Sequence, residues 1–356
     1  MKWIATFIVI CALLTTSLLA LKYLSLMRPL PEPTGLYGIG VEIIHVTSPT
    51  RNREWQAHIW YPTDMPKRRA YSYGDVRSLS YSLREMTHSA GYAVRMLGWI
   101  NTYINSWTVK TFSNPHSTIS NKKAAFPVIF FSPGFGALPD LYHSILENLA
   151  SHGFIVVAIN HPDMNGAIVW PDGHISHHDA SPDSDVQWQK AITRAAGDVQ
   201  ETAQFLEVLA RDTKSMWYQR LTLSQFGACG HSFGSMIPVM LCRTDKRCIA
   251  GVNLDGWLGD RQPKPIDKSF LFLMNDSNFP SKEFYAENKR DIEKVCSFNS
   301  DKCLVTIIPI SDHFSFSDLS LLRWPLSTTL PVQREHPYVT LSAINRKLSD
   351  FFKAVL

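Results

Sequence analysis

The chain has 356 residues, of which 45% are apolar and 19% charged, and its formal net charge is +4. This length suits one large domain or two small ones, and the composition is that of an ordinary globular protein whose core can exclude water from an internal site. The small net charge and the lack of a Lys/Arg block argue against nucleic-acid binding.

The first segment has a different composition from the rest. Trp3–Leu21 carries no charge over 19 residues and lies between Lys2 and Lys22. A membrane helix needs about 20 apolar residues, whereas a secretory signal has a shorter apolar stretch of roughly 7–15 residues. We interpret residues 1–28 as an uncleaved signal anchor, with a cleaved signal peptide and a buried helix as the alternatives. Both leading interpretations predict a chain that is membrane-anchored facing the periplasm or exterior, or secreted.

A Pro-rich stretch and two strands follow. Residues 29–35 (PLPEPTG) predict a linker to a domain that spans residues 36–356. Two strand-like runs, Gly38–His45 and Trp55–Tyr61, are separated by a polar turn. This pattern predicts an antiparallel start to a sheet.

An insertion at about residues 64–120 is polar and irregular, with one exception. Apolar residues recur at helical spacing from Ala93 to Trp107, and they are rich in Met, Tyr and Trp. The stripe predicts a helix packed on the core. The alternative interpretation is a flap over an active site that touches lipid.

From residue 126 the chain alternates between strands and helices. Apolar runs predict strands at Phe126–Phe131, Phe154–Ile159, Leu221–Cys229, Ile249–Leu254, Phe270–Met274 and Leu304–Ile310. Periodic apolar residues predict helices at Leu141–Ser151, around Val199–Leu209, at Ser235–Cys242 and from Leu341 to Val355, whereas residues 160–190 predict a loop. The alternation predicts an α/β fold with a mostly parallel sheet and helices on both faces.

The segment Gly230-His231-Ser232-Phe233-Gly234 matches the pattern of a nucleophile elbow. A predicted strand precedes Ser232 and a predicted helix follows it, which is the strand–turn–helix that the elbow requires. The two glycines suit a tight turn whose helix packs close to the strand. We predict that Ser232 is a nucleophile and that His231 has a packing or orienting role. The alternative is a structural turn without catalysis.

A serine nucleophile needs a base, and in this type of fold the order along the chain is Ser, then Asp or Glu, then His. Asp255 and His313 each follow a predicted strand, at the sheet edge where active-site loops lie. We predict that Asp255 and His313 complete a catalytic triad with Ser232. The remaining candidates are the carboxylates of Asp260 and Asp312 and the imidazole of His336.

Acyl transfer also requires hydrogen-bond donors for the oxyanion. The backbone N–H of Phe233, directly after the nucleophile, is one candidate. The loop Ser132–Gly136 follows a predicted strand, and its glycines allow the N–H of Phe135 to turn toward the site. A plain Gly-Pro turn is the alternative. His161, which follows the next strand, is expected to shape the loop.

The six cysteines include two pairs that are close in sequence, Cys242 with Cys248 and Cys296 with Cys303. Such pairs predict two disulfides in an oxidising compartment, with unpaired thiols as the alternative. The spacing of Cys and His residues does not suggest zinc, and we expect neither a metal nor another cofactor.

Four segments resemble the platelet-activating factor acetylhydrolase family of lipase-like serine esterases, which have the α/β-hydrolase fold. They are residues 130–163, GHSFG at 230–234, NLDGW at 253–257 and SDHFSFSD at 311–318. The resemblance implies a triad of Ser232, Asp255 and His313, an oxyanion hole formed by the amides of Phe135 and Phe233, and no metal. The chain departs from the family pattern at Pro133, where a His is usual, and at Asn160 and Pro162.

The resemblance implies a lipid ester as substrate, with short or oxidised acyl chains of phospholipids cleaved by way of an acyl-enzyme. The N-terminal helix would bring the enzyme to a membrane, while the oligomeric state stays open. The alternative enzyme is a general carboxylesterase, a polyesterase or a dienelactone-hydrolase-like protein. A membrane-tethered binding protein on a hydrolase scaffold is the alternative that is not an enzyme.

Overall fold

A computed structural model describes eight ranges of the chain together with Thr16, Tyr71, Ser72 and Ser78. The ranges are 27–68, 110–162, 164–170, 172–176, 182–259, 263–277, 281–322 and 337–356. The predicted features outside them are the apolar segment Trp3–Leu21, the stripe from Ala93 to Trp107, and the candidate residues Asp260 and His336. Within the described ranges, no helix is both long and apolar enough to span a membrane.

Strands and helices alternate through most of the described chain. The strands are β1 (Gly38–Ser48), β2 (Arg53–Thr63), β3 (Tyr71–Ser72), β4 (Lys110–Thr111), β5 (Ser113–Pro115), β6 (Phe126–Ser132), β7 (Ile155–Asn160), β8 (Ile168–Val169), β9 (Ile175–Ser176), β10 (Leu221–His231), β11 (Cys248–Leu254), β12 (Ser269–Met274) and β13 (Cys303–Ile307). The α-helices are α1 (His143–Ser151), α2 (Asp185–Leu209), α3 (Met236–Thr244), α4 (Lys282–Ser297) and α5 (Pro337–Val355).

The central sheet has nine strands in the order β13-β12-β11-β10-β6-β7-β2-β1-β5. Strands β6, β7 and β10 to β13 run parallel to one another, whereas β2 is antiparallel to β7 and to β1. The predicted α/β fold with a mostly parallel sheet and an antiparallel start is therefore confirmed. Strand β5 pairs with β1, so residues 113–115 belong to the main sheet and not to the insertion in which the sequence placed them.

The sheet is covered on both faces because its central strands alternate between two apolar clusters. In β6, Val128 and Phe130 pack in the cluster that includes α2, α3 and α4. Ile129 and Phe131 pack in the other cluster, with α1 and α5. Successive side chains of a strand point to opposite faces, so a continuous apolar run is what a strand buried on both sides requires.

The structure differs from the prediction at the start of α2, at α4 and at the end of β13. Helix α2 begins at Asp185, within the predicted loop 160–190, because the Ser184 side chain accepts a hydrogen bond from the Gln187 amide and caps the helix. Helix α4 was not predicted, since only Ile292, Val295 and Cys296 are buried along it. Strand β13 ends at Ile307 and not at Ile310, which has a φ of 55° and lies in the turn that follows.

Residues 29–35, which the sequence predicts as a linker, pack against the domain. The side chain of Leu30 is 1% exposed. The backbone amides of Thr34 and Gly35 donate to the Asn148 and Ser151 side chains of α1 at 3.0 and 2.9 Å. The proline content explains the extended backbone, and the acceptors on α1 explain why it lies on the surface of the domain.

The structure contains one of the two predicted disulfides. Cys296 at the end of α4 is bonded to Cys303 at the start of β13. The predicted Cys242–Cys248 bond is wrong, because both cysteines are unbonded and their Sγ atoms lie 2.8 Å apart, beyond the length of about 2.05 Å of a disulfide. Both side chains are buried, and burial raises the pKa of the Cys248 thiol.

We expect a non-reducing peptide map of the protein to show the Cys296–Cys303 cross-link, with Cys242 and Cys248 alkylated only after unfolding. The bridge spans a sequence separation of seven residues. Replacing Cys296 with Ser should lower the free energy of unfolding by about 2–3 kcal/mol, the loop-closure entropy of so short a loop. The same change at Cys229, which is unbonded and buried, is the control, and a Cys242–Cys248 cross-link in the map would contradict the assignment.

Candidate active site

Ser232 lies at the sharp turn between β10 and the short 3-10 helix that leads into α3. Its φ is 55°, in the left-handed region that residues other than glycine rarely adopt. A Cβ on Gly230 would meet the carbonyl oxygen of Gly234, and one on Gly234 would meet that of Ser132. Both glycines are thus required by the close approach of strand and helix, and the strained turn presents the Ser232 hydroxyl at the sheet edge.

The structure brings Ser232, His313 and Asp255 into one hydrogen-bonded chain. His313 Nε2 lies 2.9 Å from Ser232 Oγ, and His313 Nδ1 lies 2.7 Å from Asp255 Oδ2. The carboxylate can only accept, so in a neutral imidazole Nδ1 carries the proton and Nε2 faces the serine hydroxyl as an acceptor. The side chains of His313 and Asp255 are 12% and 6% exposed, which keeps this chain largely out of bulk water.

A neighbouring asparagine holds Asp255 in place. The Asn275 side-chain amide donates to both carboxylate oxygens of Asp255, at 2.7 and 2.8 Å, and the Asn275 backbone amide donates at 2.8 Å. Asn275 was not predicted as a site residue from the sequence. Its position could have indicated a role in the site, because Asn275 directly follows the apolar run that forms β12, just as Asp255 directly follows β11.

Asp312, the other described candidate carboxylate, is engaged elsewhere. Its side chain accepts hydrogen bonds from the Ser315 amide and hydroxyl at 2.9 and 3.0 Å and caps the 3-10 helix that begins at His313. The carboxylate therefore shapes the loop that presents His313.

The loop Ser132–Gly136 lies directly beside the nucleophile. A Cβ built on Gly134 would lie 3.3 Å from the Cβ of Ser232. The amide of Gly134 donates to Tyr142 Oη at 3.0 Å, and the amide of Gly136 donates to the Met164 carbonyl at 2.8 Å. Phe135 lies between these two residues, and its N–H is the oxyanion donor that the sequence predicts for this loop.

A buried polar network supports the same loop from behind. Asn165 Nδ2 donates to the Gly134 carbonyl at 2.9 Å, and Asn165 Oδ1 accepts from the His161 amide at 2.7 Å. The His161 ring lies 3.1 Å from Ser132 Oγ and 3.0 Å from Asp198 Oδ2. His161 was predicted to shape the loop, whereas Asn165 and Asp198 were not predicted, because no motif marks them.

A cavity of about 1280 Å³ lies between α2, α4 and the residues that follow Asp255. Its walls include Trp188, Trp257 and Phe284, and charged side chains of both signs complete the lining. The Trp188 ring is 6.0 Å from the Phe135 ring and 5.3 Å from the Phe233 ring, between their centroids. Trp188 thus lines the cavity on one side and packs against the rings of Phe135 and Phe233 on the other.

A family model described as "Platelet-activating factor acetylhydrolase, isoform II" matches residues 25–213, more than half of the chain. The chain belongs to this family. The platelet-activating factor acetylhydrolase resemblance seen in the sequence is therefore confirmed. The matched range includes the loop Ser132–Gly136 and ends before Ser232.

Curated relatives carry the same family name. The platelet-activating factor acetylhydrolase of Canis lupus familiaris is 26% identical over 229 residues, and the match covers 55% of this chain and 49% of that protein. The protein of the same name from Cavia porcellus is 27% identical over 264 residues, covering 65% of this chain and 58% of that protein. The chain thus spans about half to three fifths of the length of these two relatives.

A fungal relative matches over a greater length. A probable 1-alkyl-2-acetylglycerophosphocholine esterase of Arthroderma benhamiae is 22% identical over 299 residues, which cover 77% of this chain and 73% of that protein. Among solved structures, a ferulic acid esterase from Streptomyces cinnamoneus superposes with a TM-score of 0.68 at 21% identity, covering 92% of this chain and 93% of that one. At this identity the superposition supports the fold, which is that of the α/β-hydrolases.

Proposed function

We propose that this protein is a serine esterase that hydrolyses carboxylic esters by two-step acyl transfer, with Ser232 as nucleophile, His313 as base and Asp255 as the orienting carboxylate. The observation that carries the proposal is the hydrogen-bonded chain from Ser232 Oγ through the His313 ring to Asp255. Two hydrogen bonds in series, from nucleophile to base and from base to carboxylate, are the geometry that activates a serine.

In the first step, His313 Nε2 takes the proton of Ser232 Oγ while that oxygen attacks the ester carbonyl. Asp255 stabilises the imidazolium that forms, because its carboxylate accepts from Nδ1. When the tetrahedral intermediate collapses, His313 returns the proton to the leaving alkoxide, and the acyl group stays on Ser232. Water then attacks the acyl-enzyme, with His313 again as the base, and releases the acid.

The amides of Phe135 and Phe233 are proposed to donate to the oxyanion. Phe233 directly follows the nucleophile at the start of the 3-10 helix Ser232–Ser235. Phe135 occupies the loop that touches Ser232 through Gly134. Backbone donors fixed before the reaction need no reorganisation as the negative charge develops, which is why such donors are effective.

The proposed substrate is a lipid ester with a short or oxidised acyl chain, as family membership suggests. The cavity supports a bulky substrate, since ligand pockets commonly measure about 300–1000 Å³, and the volume of about 1280 Å³ beside Trp188 exceeds what a short acyl chain fills. Its aromatic walls suit the apolar part of a lipid alcohol, while its charged lining suits a polar headgroup. The apolar segment Trp3–Leu21 supports placement of the enzyme at a membrane or its export.

A test compares the purified full chain on acetyl and palmitoyl versions of one phospholipid and on a soluble nitrophenyl acetate. We expect the acetyl lipid to be hydrolysed roughly tenfold faster or more, because a site shaped for a short chain rejects added methylenes by about 1–3 kcal/mol. Hydrolysis of the soluble ester without hydrolysis of either phospholipid would instead favour a general carboxylesterase. No hydrolysis of any ester would favour the binding-protein alternative.

A further inference from the structure

A chain of hydrogen bonds close to Ser232 links the loop Ser132–Gly136 to the loop that presents His313. The Gly134 amide lies 3.0 Å from Tyr142 Oη, which lies 2.9 Å from His231 Nδ1. On the other side of the ring, His231 Nε2 lies 2.9 Å from the backbone carbonyl oxygen of His313. We call these contacts the Tyr142–His231 bridge. It connects the loop Ser132–Gly136 to the residue that faces the nucleophile.

The direction of every hydrogen bond in the bridge is determined. The His313 carbonyl can only accept, so His231 Nε2 carries a proton. In a neutral ring Nδ1 is then an acceptor, which requires the Tyr142 hydroxyl to donate to it. The same hydroxyl oxygen accepts from the Gly134 amide. The bridge therefore uses one tautomer of His231 and one orientation of the Tyr142 hydroxyl.

The surroundings keep both side chains in these states. Tyr142 is 1% exposed and His231 is 4% exposed. Burial, together with the nearby His313 ring, holds the pKa of His231 well below its usual value, and burial raises the pKa of Tyr142. The His231 ring also lies parallel to that of Phe316, with 6.1 Å between centroids and 15° between planes. Packing and polarity together fix the ring.

We propose that the Tyr142–His231 bridge positions the oxyanion loop relative to His313, so that Tyr142 and His231 are positioning residues for the reaction. The proposal rests on the proposed esterase function. The mechanism does not use either side chain, and neither is needed to take up or release a proton. Their role is to hold the Phe135 amide on one side of Ser232 and the His313 imidazole on the other at a constant separation.

The decisive variant is Tyr142→Phe, which removes a single oxygen atom. The Gly134 amide and His231 Nδ1 then lose their partner, and the oxyanion loop is free to shift. Deleting one oxyanion donor typically costs about 100- to 1000-fold in kcat, so displacing a donor should cost roughly 10- to 100-fold. KM should change little, because the oxyanion develops after substrate has bound.

Tyr61→Phe provides a matched control. Tyr61 is also buried, and its hydroxyl donates to the Ser117 carbonyl at 2.7 Å, away from the bridge. Both variants lose a buried hydroxyl and leave a partner unpaired, so both should lose about 1–3 kcal/mol of unfolding free energy. Only Tyr142→Phe should lose kcat. If its kcat stays within about twofold of that of Tyr61→Phe, a difference within additivity error, the proposal is overturned.

Two variants at His231 divide the bridge and provide a test if Tyr142→Phe does not fold. His231→Asn places an acceptor where Nδ1 was, and His231→Gln places a donor where Nε2 was. Each should lower kcat, because each retains only one half of the bridge. In the His231→Gln background, adding Tyr142→Phe should cost less than it does in the parent, since the contact between Tyr142 and position 231 is already lost and only the Gly134 contact remains to be removed. Full additivity of the two changes would show that they do not act through one chain.

The tautomer gives a readout that does not depend on turnover. In protein labelled with ¹⁵N-histidine, the resonance that disappears in His231→Gln should be that of a neutral ring protonated at Nε2 near pH 7. A ring protonated at Nδ1 would overturn the bridge. Ester hydrolysis by the unaltered protein distinguishes failure of the esterase proposal from failure of the bridge proposal. If the unaltered protein hydrolyses no ester, the esterase proposal fails. If the unaltered protein is active and Tyr142→Phe keeps its full rate, only the bridge proposal is contradicted.

Discussion

Ser232→Ala is expected to lower kcat on any ester by roughly 10⁴- to 10⁶-fold, the range typical for loss of a serine nucleophile. The side chain does not fill the core, and Ala at a φ of 55° is no more strained than Ser, so the thermal unfolding midpoint should stay close to that of the parent. Steady-state rates and a thermal melt measure the two quantities. A fluorophosphonate probe should label the parent protein at Ser232 and leave the variant unlabelled.

Ser151→Ala is the matched control for this change. Ser151 is fully buried in α1, and its hydroxyl donates to the Asn148 carbonyl at 2.7 Å. Its loss should reduce stability and leave the rate per folded molecule unchanged. Retention of more than a small fraction of activity by Ser232→Ala, or labelling at another serine, would remove the basis of the proposed mechanism.

Asp255→Asn is expected to lower kcat by about 10³- to 10⁴-fold, because the amide no longer holds His313 in the tautomer that faces Ser232 with an acceptor. The substitution keeps the size of the side chain. It also places an NH₂ group among the donors of Asn275, which lie 2.7 and 2.8 Å from the carboxylate oxygens, so some loss of stability accompanies the loss of rate. The kcat of the variant and of the parent, measured at the same pH, is the quantity to compare.

Asp312→Asn serves as the counterpart. Asparagine caps a helix about as well as aspartate, so the loop that presents His313 should persist and kcat should fall by no more than a few-fold. Equal losses at the two positions would show that Asp255 is not the partner of His313. The comparison is informative because Asp312 adjoins His313 in sequence, whereas Asp255 contacts the His313 ring in space.

Most of the sheet could be predicted because its strands are continuous apolar runs. In such a run every residue is apolar, so each one indicates a strand buried on both faces. Helix α4 has almost no such apolar pattern, since only three of its side chains are buried. The predicted end of β13 was wrong for a related reason. Ile310 is apolar but 55% exposed, and only its backbone conformation shows that the strand has already ended.

The candidate site was accessible from sequence only where chemistry and strand position coincide. Ser232, Asp255 and His313 each follow a strand and each belong to a residue type that acyl transfer requires. Asn275 follows a strand as well, but asparagine has no role that would single it out. Tyr142 lies 89 positions from its partner His231, and no local pattern relates residues so far apart. Such contacts follow from the packing of the whole domain.

The attachment of the N-terminal segment has a mechanical consequence. Met27 forms a bridge with Leu322, and the Arg28 amide donates to the Leu321 carbonyl at 2.8 Å. Leu321 ends the second of the two short 3-10 helices that begin at His313, and Leu322 follows it. A force applied to the chain before Met27 is therefore transmitted directly to the part of the domain that follows His313. No flexible linker lies between Met27 and that part of the domain. The signal anchor that the sequence predicts at residues 1–28 would, at this point of attachment, limit the rotation of the domain and fix which side of it faces the bilayer.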